Sequence, residues 1–307
     1  MENNITYKNI DIHLSEFFGV LYKKKALIFI ITSIFAIISV VHSLNIPNIY
    51  TSKAVLAPVA PSDSMSSISP SLTSAASLTG IGISSVTNTI KTQEAITRIK
   101  SFDFFNNYFL KNVKLENIMA VEKWDSENNQ IIYNSSVFDS DKKVWISSNS
   151  TKIKPTSREA YEVYIEKLAI SSGSPFINIS IRHQSPVIAK KWLDMIIYNI
   201  NESMREIDKK NAEKAILYLN KSFKNTDIQS LKAVTSNLLE SQMKTLMLAE
   251  SSESYVLKII DSPFIPEKKS SPNRSLICIL GTVLGFITGI FISLILHFRE
   301  IQNHHKV

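Results

Sequence analysis

Cysteine is nearly absent from this chain of 307 residues. Cys278 stands alone, so no internal disulfide can form and the fold must be held by packing. Glycine is scarce as well, with seven in all, and three of them, Gly281, Gly285 and Gly289, recur at every fourth position. Six histidines are scattered without the His/Cys spacing of a metal site. There is no Gly-rich phosphate loop and no nucleophile elbow, and serine is so common that a Ser/His/Asp combination carries no information. These absences point away from an enzyme and away from any cofactor. The net charge of +7 raises nucleic acid as a partner, but the lysines and arginines are interspersed with acids, as on an ordinary solvated surface. A basic face with base-stacking side chains is missing, so nucleic acid is set aside.

Two long apolar runs are present. Leu276 to Leu296 is uncharged, and its 21 positions reach roughly 30 Å as a helix, the thickness of a bilayer's hydrocarbon core. Within it Gly281, Gly285 and Gly289 fall on one helix face and remove bulk where another helix can approach, which marks them for transmembrane packing. Ala26 to Leu44 is the second candidate span. A cleaved signal peptide is its alternative, with Val41 and Ser43 as a weak cleavage site, but the preceding segment is long for a signal and the run exceeds the usual apolar length. Lys23, Lys24 and Lys25 immediately before it favour a cytoplasmic N-terminus and set the topology. Lys268, Lys269 and Arg274 before the second run weigh weakly the other way.

The expected organisation is a cytoplasmic tail over 1–25, a transmembrane helix over 26–44, a periplasmic domain over 45–275, a second transmembrane helix over 276–296 and a cytoplasmic tail over 297–307. In the domain, Tyr50 to Val59 suits a strand. Residues 62–89 are rich in serine and threonine and read as a long loop, docked through Leu72, Leu78, Ile81 and Ile83. Ile96, Ile99, Phe102, Phe105 and Phe109 keep helical spacing, which predicts an amphipathic helix from Thr92 to Leu110 covering a sheet. Residues 112–155 read as irregular apart from a strand near Val144. Ser157 and Glu159 open a helix to about Ser171, and Phe176 to Ile181 alternates as a half-buried strand.

Ser185 and Pro186 then start the longest helical pattern, carried by Trp192, Ile196, Ile200, Met204 and Ile207 and broken at Asn225, Thr226 and Asp227. A second helix runs to Ser251, so the two make a hairpin arm over about 186–251. Tyr255 to Ile260 reads as a last strand. Pro263, Pro266 and Pro272 give a stiff, extended juxtamembrane segment. Pairing the first and last strands would bring the two spans together. The fold class expected is thus a mixed α/β (α+β) periplasmic domain with a long helical hairpin arm, flanked by two transmembrane helices.

This arrangement resembles the Wzz-type polysaccharide co-polymerases, or chain length determinant proteins, of bacterial inner membranes. The resemblance rests on Lys23 to Leu44, the strand with Tyr50, Ala54 and Leu56, the loop at Leu78 to Ile83, and Ile96 to Phe105 near Lys100 and Ser101. It continues through His183 to Ala189, Leu246 to Glu250 and Tyr255 to Pro266, and ends on the prolines and the glycine-spaced span. It implies an α/β base, a projecting arm and a ring-like homo-oligomer. It also implies regulation of how many units a polysaccharide polymerase adds to a lipid-linked glycan, with lipopolysaccharide O-antigen as the polymer. A capsule or exopolysaccharide export adaptor working with a separate kinase stays open, as does a two-span periplasmic sensor. The arm is shorter than in long-armed members. No phosphate loop follows the second span, so a participating kinase would be a separate chain.

Overall fold

The computed structural model describes residue 19 and residues 21–59, 83–146, 154–173, 176–224 and 228–304. The chain divides into two units, Met1–Pro47 with Ser271–Val307 in one and Asn48–Ser270 in the other. The first unit is an antiparallel pair of helices, α1 (Lys25–Asn45) and, at the other end of the chain, Arg274–His304. Both are long and apolar enough to cross a membrane, the second over Arg274–His297. Their threonines are satisfied locally, Thr32 Oγ1 donating to Ile28 O at 2.8 Å and Thr282 Oγ1 to Cys278 O at 2.8 Å, whereas the buried hydroxyls of Ser43 and Ser293 have no partner. A polar side chain that bonds its own helix backbone is tolerable in hydrocarbon.

The second unit is built on β1 (Tyr50–Pro58), whose residues Ser52, Ala54 and Leu56 are buried while their neighbours are not. Helix α2 (Ile83–Ile99) follows, and the expected loop over 62–89 therefore needs correction from Ile83 onward. Its earlier part, with Leu72, Leu78 and Ile81, lies outside the described residues. The helix expected through Leu110 breaks at Ser101, which is extended and accepts a hydrogen bond from Phe104 N–H at 3.2 Å. Residues 102–112 then wind through short α, π and 3-10 turns. The region read as irregular contains α3 (Leu115–Met119) and two small hairpins. They pair β2 (Val121–Asp125) with β3 (Gln130–Tyr133), and β4 (Phe138–Asp139) with β5 (Val144–Trp145).

Helix α4 (Ser157–Lys167) is opened by Thr156 rather than Ser157, in a reciprocal capping box with Glu159. It stops four residues short of the expected end. Leu168–Gly173 instead forms β6, because Leu168 and Ile170 alternate toward the core opposite Ile181 and Ile179 of β7 (Phe176–His183). The arm follows as α5 (Pro186–Lys224) and α6 (Gln229–Ser251), about 58 and 35 Å long at 1.5 Å per residue. The expected break at Asn225, Thr226 and Asp227 lies outside the described residues. β8 (Leu257–Asp261) begins two residues later than expected and leads to the last helix, α7 (Arg274–His304).

The sheet is antiparallel in the order β6-β7-β1-β8, so the first and last strands are neighbours. One face carries Leu56, Ile177, Ile179, Ile181 and Leu257 against Leu193, Ile196, Ile200 and Met204 of α5. Phe105, Phe109, Tyr164 and Trp192 close the core as an aromatic chain, with centroids 5.1 Å apart for Phe105–Tyr164, 4.7 Å for Phe109–Tyr164 and 5.3 Å for Phe109–Trp192. Each such pair adds roughly 0.5–1.5 kcal/mol beyond its buried area. The Tyr164 hydroxyl donates to Ile99 O at 3.0 Å, which satisfies the buried phenol.

Candidate functional site

The sequence-singled glycines sit on the side of α7 that faces α1. A Cβ built on Gly285 would lie 2.5 Å from Phe35 Cβ and 3.2 Å from Thr32 Cα. On Gly289 it would lie 3.2 Å from Ile28 Cα, and on Gly281 it would collide with the Ser39 side chain. At Gly285 and Gly289 a larger residue requires α1 to shift, because Thr32 Cα and Ile28 Cα are backbone, whereas at Gly281 the obstacle is the Ser39 side chain. Ser293, one further step along the same face, is fully buried. At the opposite end of the pair Arg274 Nε donates to Ser43 O at 3.2 Å. The wide remaining surface, with Phe29, Ile37, Leu280, Leu284 and Phe291 exposed, is apolar and suited to lipid. Lys23 and Lys25 are exposed at the start of α1, the latter with its ammonium 4.3 Å from the Tyr22 ring.

Pro263, Pro266 and Pro272 are all buried, whereas Phe264 and Ile265 between the first two are half exposed. The segment is stitched to the start of β1. Ser52 Oγ donates to Phe264 O at 2.9 Å, Ser270 N–H to Ile49 O at 2.8 Å, and the hydroxyls of Thr51 and Ser270 lie 2.7 Å apart. Proline suits this path because it lacks the N–H that an extended segment would otherwise leave unpaired.

The base of the arm depends on a residue the sequence did not mark. Asn201 of α5 is buried, and its Oδ1 accepts from the N–H groups of Tyr255 at 3.2 Å, Val256 at 2.8 Å and Leu257 at 3.0 Å. Its Nδ2 donates to Leu257 O at 3.0 Å and Ile197 O at 3.1 Å. One amide thus fixes where the chain returns from α6 into β8. Beside it Asp208 Oδ2 accepts from Tyr255 Oη at 2.6 Å and from Lys91 Nζ at 2.7 Å, which ties α2 to the same junction. Burial, then the bond to Asp208, pushes the Tyr255 phenol above its ordinary value, so it stays a donor. Further out, Lys209 pairs with Glu250 at 3.0 Å, and Ala212 and Ala249 are buried on α5 and α6.

Among the described residues no three His, Cys, Asp or Glu side chains come together as a metal site. What the geometry provides is mechanical: a close helix pair, a stitched proline segment and a braced arm. Residues 10–110 match a family model, Wzz, described as chain length determinant protein. The chain carries a Wzz chain length determinant domain. Residues 223–298 of this Wzz-domain protein match a second model, GNVR, described as the G-rich domain on putative tyrosine kinase. No curated protein matches it in sequence. Among solved structures it is similar to a "full-length bacterial polysaccharide co-polymerase", at 13% identity and TM-score 0.42 over 96% of this chain and 99% of that one. It is also similar to a fragment of WzzB, a polysaccharide co-polymerase from Salmonella Typhimurium, at 12% identity and TM-score 0.33 over 73% and 100%. At scores below 0.5 neither likeness carries weight for function.

Proposed function

We propose that this Wzz-domain chain is a non-enzymatic, homo-oligomeric regulator of surface-polysaccharide length in the bacterial inner membrane. It acts beside a glycan polymerase on a lipid-linked glycan, with lipopolysaccharide O-antigen as the polymer. The observation that carries this reading is the chain length determinant match over residues 10–110, which takes in the first apolar helix and β1. Helices α1 and α7 are the two spans. Lys23, Lys24 and Lys25 hold the N-terminus in the cytoplasm, which sends residues 45–275 into the periplasm and brings the C-terminus back. Gly281, Gly285 and Gly289 hold the spans together, and Pro263, Pro266 and Pro272 hold the exit from the domain. Self-assembly is supported by the arm, where Leu231, Val234 and Leu238 of α6 are about half exposed at helical spacing and have apolar area to bury against a second copy.

Deletion of the gene, read as a ladder of surface glycan lengths, tests the proposal. A clustered length distribution should become a broad one and return on complementation. An unchanged ladder overturns it. The GNVR match favours a second reading, a capsule or exopolysaccharide export adaptor serving a separate kinase. In that case deletion should leave the O-antigen ladder intact and remove polymer from the cell surface and medium.

A further inference from the structure

The close approach of α1 and α7 leaves a groove of about 320 Å³ along one side of the pair. Residue spacing explains its shape. Each of two contact glycines is followed by a large apolar residue, Gly285 by Phe286 and Gly289 by Ile290. The glycines let the backbones meet, while Phe286 and Ile290, four positions apart, stand up as the wall on the α7 side. Leu21, Lys25 and Phe29 repeat at the same interval and make the opposite wall. Ile28 and Thr32 form the floor, where α1 meets Gly289 and Gly285.

The chemistry changes along this groove. From Ile28 to Thr32 the lining is apolar, because the Thr32 hydroxyl is bonded to Ile28 O at 2.8 Å. At the mouth stands Lys25, exposed and last of three consecutive lysines. Its ammonium reaches back one turn and lies 4.3 Å from the Tyr22 ring centroid, and no carboxylate of the described residues pairs with it. Seven residues separate Lys25 from Thr32, about 10 Å of helix. An apolar trough with an unpaired cation at one end has the polarity of an anionic amphiphile. It does not suit a further helix. Helices that associate in lipid meet through small residues, and the glycine seam of α7 is already covered by α1, whereas these walls are Leu, Phe and Ile. A narrow, flexible chain fits between such rows.

We infer that this groove holds one acyl chain of an anionic phospholipid, with Lys25 facing the phosphate. The inference rests on the reading of α1 and α7 as membrane spans and is independent of the glycan. It gives Lys25 a ligand as well as a part in topology: the lipid belongs to the leaflet in which α1 begins, where a lysine beside the apolar run meets the headgroups.

The test is native mass spectrometry of the full-length protein released from vesicles of equal phosphatidylglycerol and phosphatidylcholine. The first lipid retained should be phosphatidylglycerol about fivefold more often, the weight of one lysine facing an anionic headgroup. Lys25→Gln should remove most of that preference, whereas Lys23→Gln, outside the groove, should keep it. Ile290→Trp, which fills the groove and leaves every lysine in place, should lower retention of the first lipid. Equal retention of the two lipids, or equal losses in the two lysine variants, overturns the inference, since the second result is diffuse attraction to a basic segment. Disulfide crosslinking between copies of Phe29→Cys in a Cys278→Ser background would put a second copy's helix in the groove and overturn it as well. Alkaline extraction of the same vesicles tests the spans by themselves: protein that stays with the membrane and shows no lipid preference refutes the groove alone, and protein that is stripped off refutes both.

Discussion

Replacing Asn201 by alanine removes one side chain that serves the backbone at five points, and the cost is set by the groups it leaves behind. The N–H groups of Val256 and Leu257 lose their acceptor at positions that are 5% and 0% exposed, so water cannot replace it, and that of Tyr255 loses it in a half-buried setting. A buried donor without a partner costs about 1–3 kcal/mol. Two full losses and one partial loss come to about 4 kcal/mol. For a domain the size of Asn48–Ser270, that lowers the thermal midpoint by roughly 8–16 °C. The assay is thermal unfolding of the full-length protein in detergent, followed by circular dichroism. Asn201→Leu is the control, because leucine has the same branched outline of four side-chain heavy atoms and fills the space while accepting nothing. It should fall as far as alanine. A drop within about 1 kcal/mol for alanine, or recovery by leucine, would show that the amide matters only as packing and refute the reasoning.

Gly285→Leu should force α1 away from α7, because Thr32 Cα at 3.2 Å is backbone and cannot rotate aside. Crosslinking between cysteines placed on the facing sides of the two helices should fall severalfold in membranes while the circular dichroism of the soluble domain is kept; unchanged crosslinking would count against the pairing. Acid should destabilise the domain through His183, whose pKa is held down at about 4 from an ordinary 6.5 by burial and then by Lys167. Above pH 6.5 both folded and unfolded chains carry a neutral ring. As pH falls below that value only the unfolded chain takes up the proton, so stability drops by about 1.4 kcal/mol per pH unit and levels off below pH 4 after a loss of roughly 3 kcal/mol. Urea unfolding of the wild type and His183→Gln at pH 7 and 4.5 should show a shallower acid loss in the variant, and equal losses would exclude His183 as the source.

The parts of this fold that are legible in the sequence are those whose burial pattern is periodic over a long stretch. Trp192, Ile196, Ile200 and Met204 recur at helical intervals, and all four are buried on α5. Ala54 and Leu56 alternate with exposed or half-buried neighbours, and they are the inward side of β1. Shorter patterns fail where a partner decides. Leu168 and Ile170 continue the α4 sequence without any stop signal, and only pairing with Ile181 and Ile179 turns them into strand. The β2–β3 hairpin does carry a local signal in its turn: Asp125 Oδ1 accepts from the N–H of Glu127 at 2.9 Å, and Asn129 takes a left-handed conformation with φ 50°, both typical of Asx-rich turns. At Ile83 the serine- and threonine-rich composition argues for loop, yet the helix reaches back through it from the strongly periodic residues beyond. Asn201 leaves no trace in the sequence. It is one polar residue among many on a long helix, and its partners, the backbone of Tyr255, Val256 and Leu257, meet it only when the chain returns from α6.

Close helix approach occurs twice in this chain, under opposite driving forces. In the soluble arm Ala212 and Ala249 allow α5 and α6 to meet, and removing apolar surface from water drives the contact, with the exposed Lys209–Glu250 pair adding little. Between α1 and α7 that driving force is absent if the pair lies in lipid, because a leucine left facing lipid loses nothing by staying there. Association then depends on how many atoms come within dispersion range and on weak polar contacts. Both grow as side chains shrink, which is the physical reason for glycine rather than alanine at 281, 285 and 289. The two contacts should therefore respond differently to bulk. An enlarged residue in the arm can be accommodated by splaying the tips of two helices that remain in water, whereas one at Gly285 pushes against the Thr32 backbone and leaves a gap on either side that lipid chains are too large to fill.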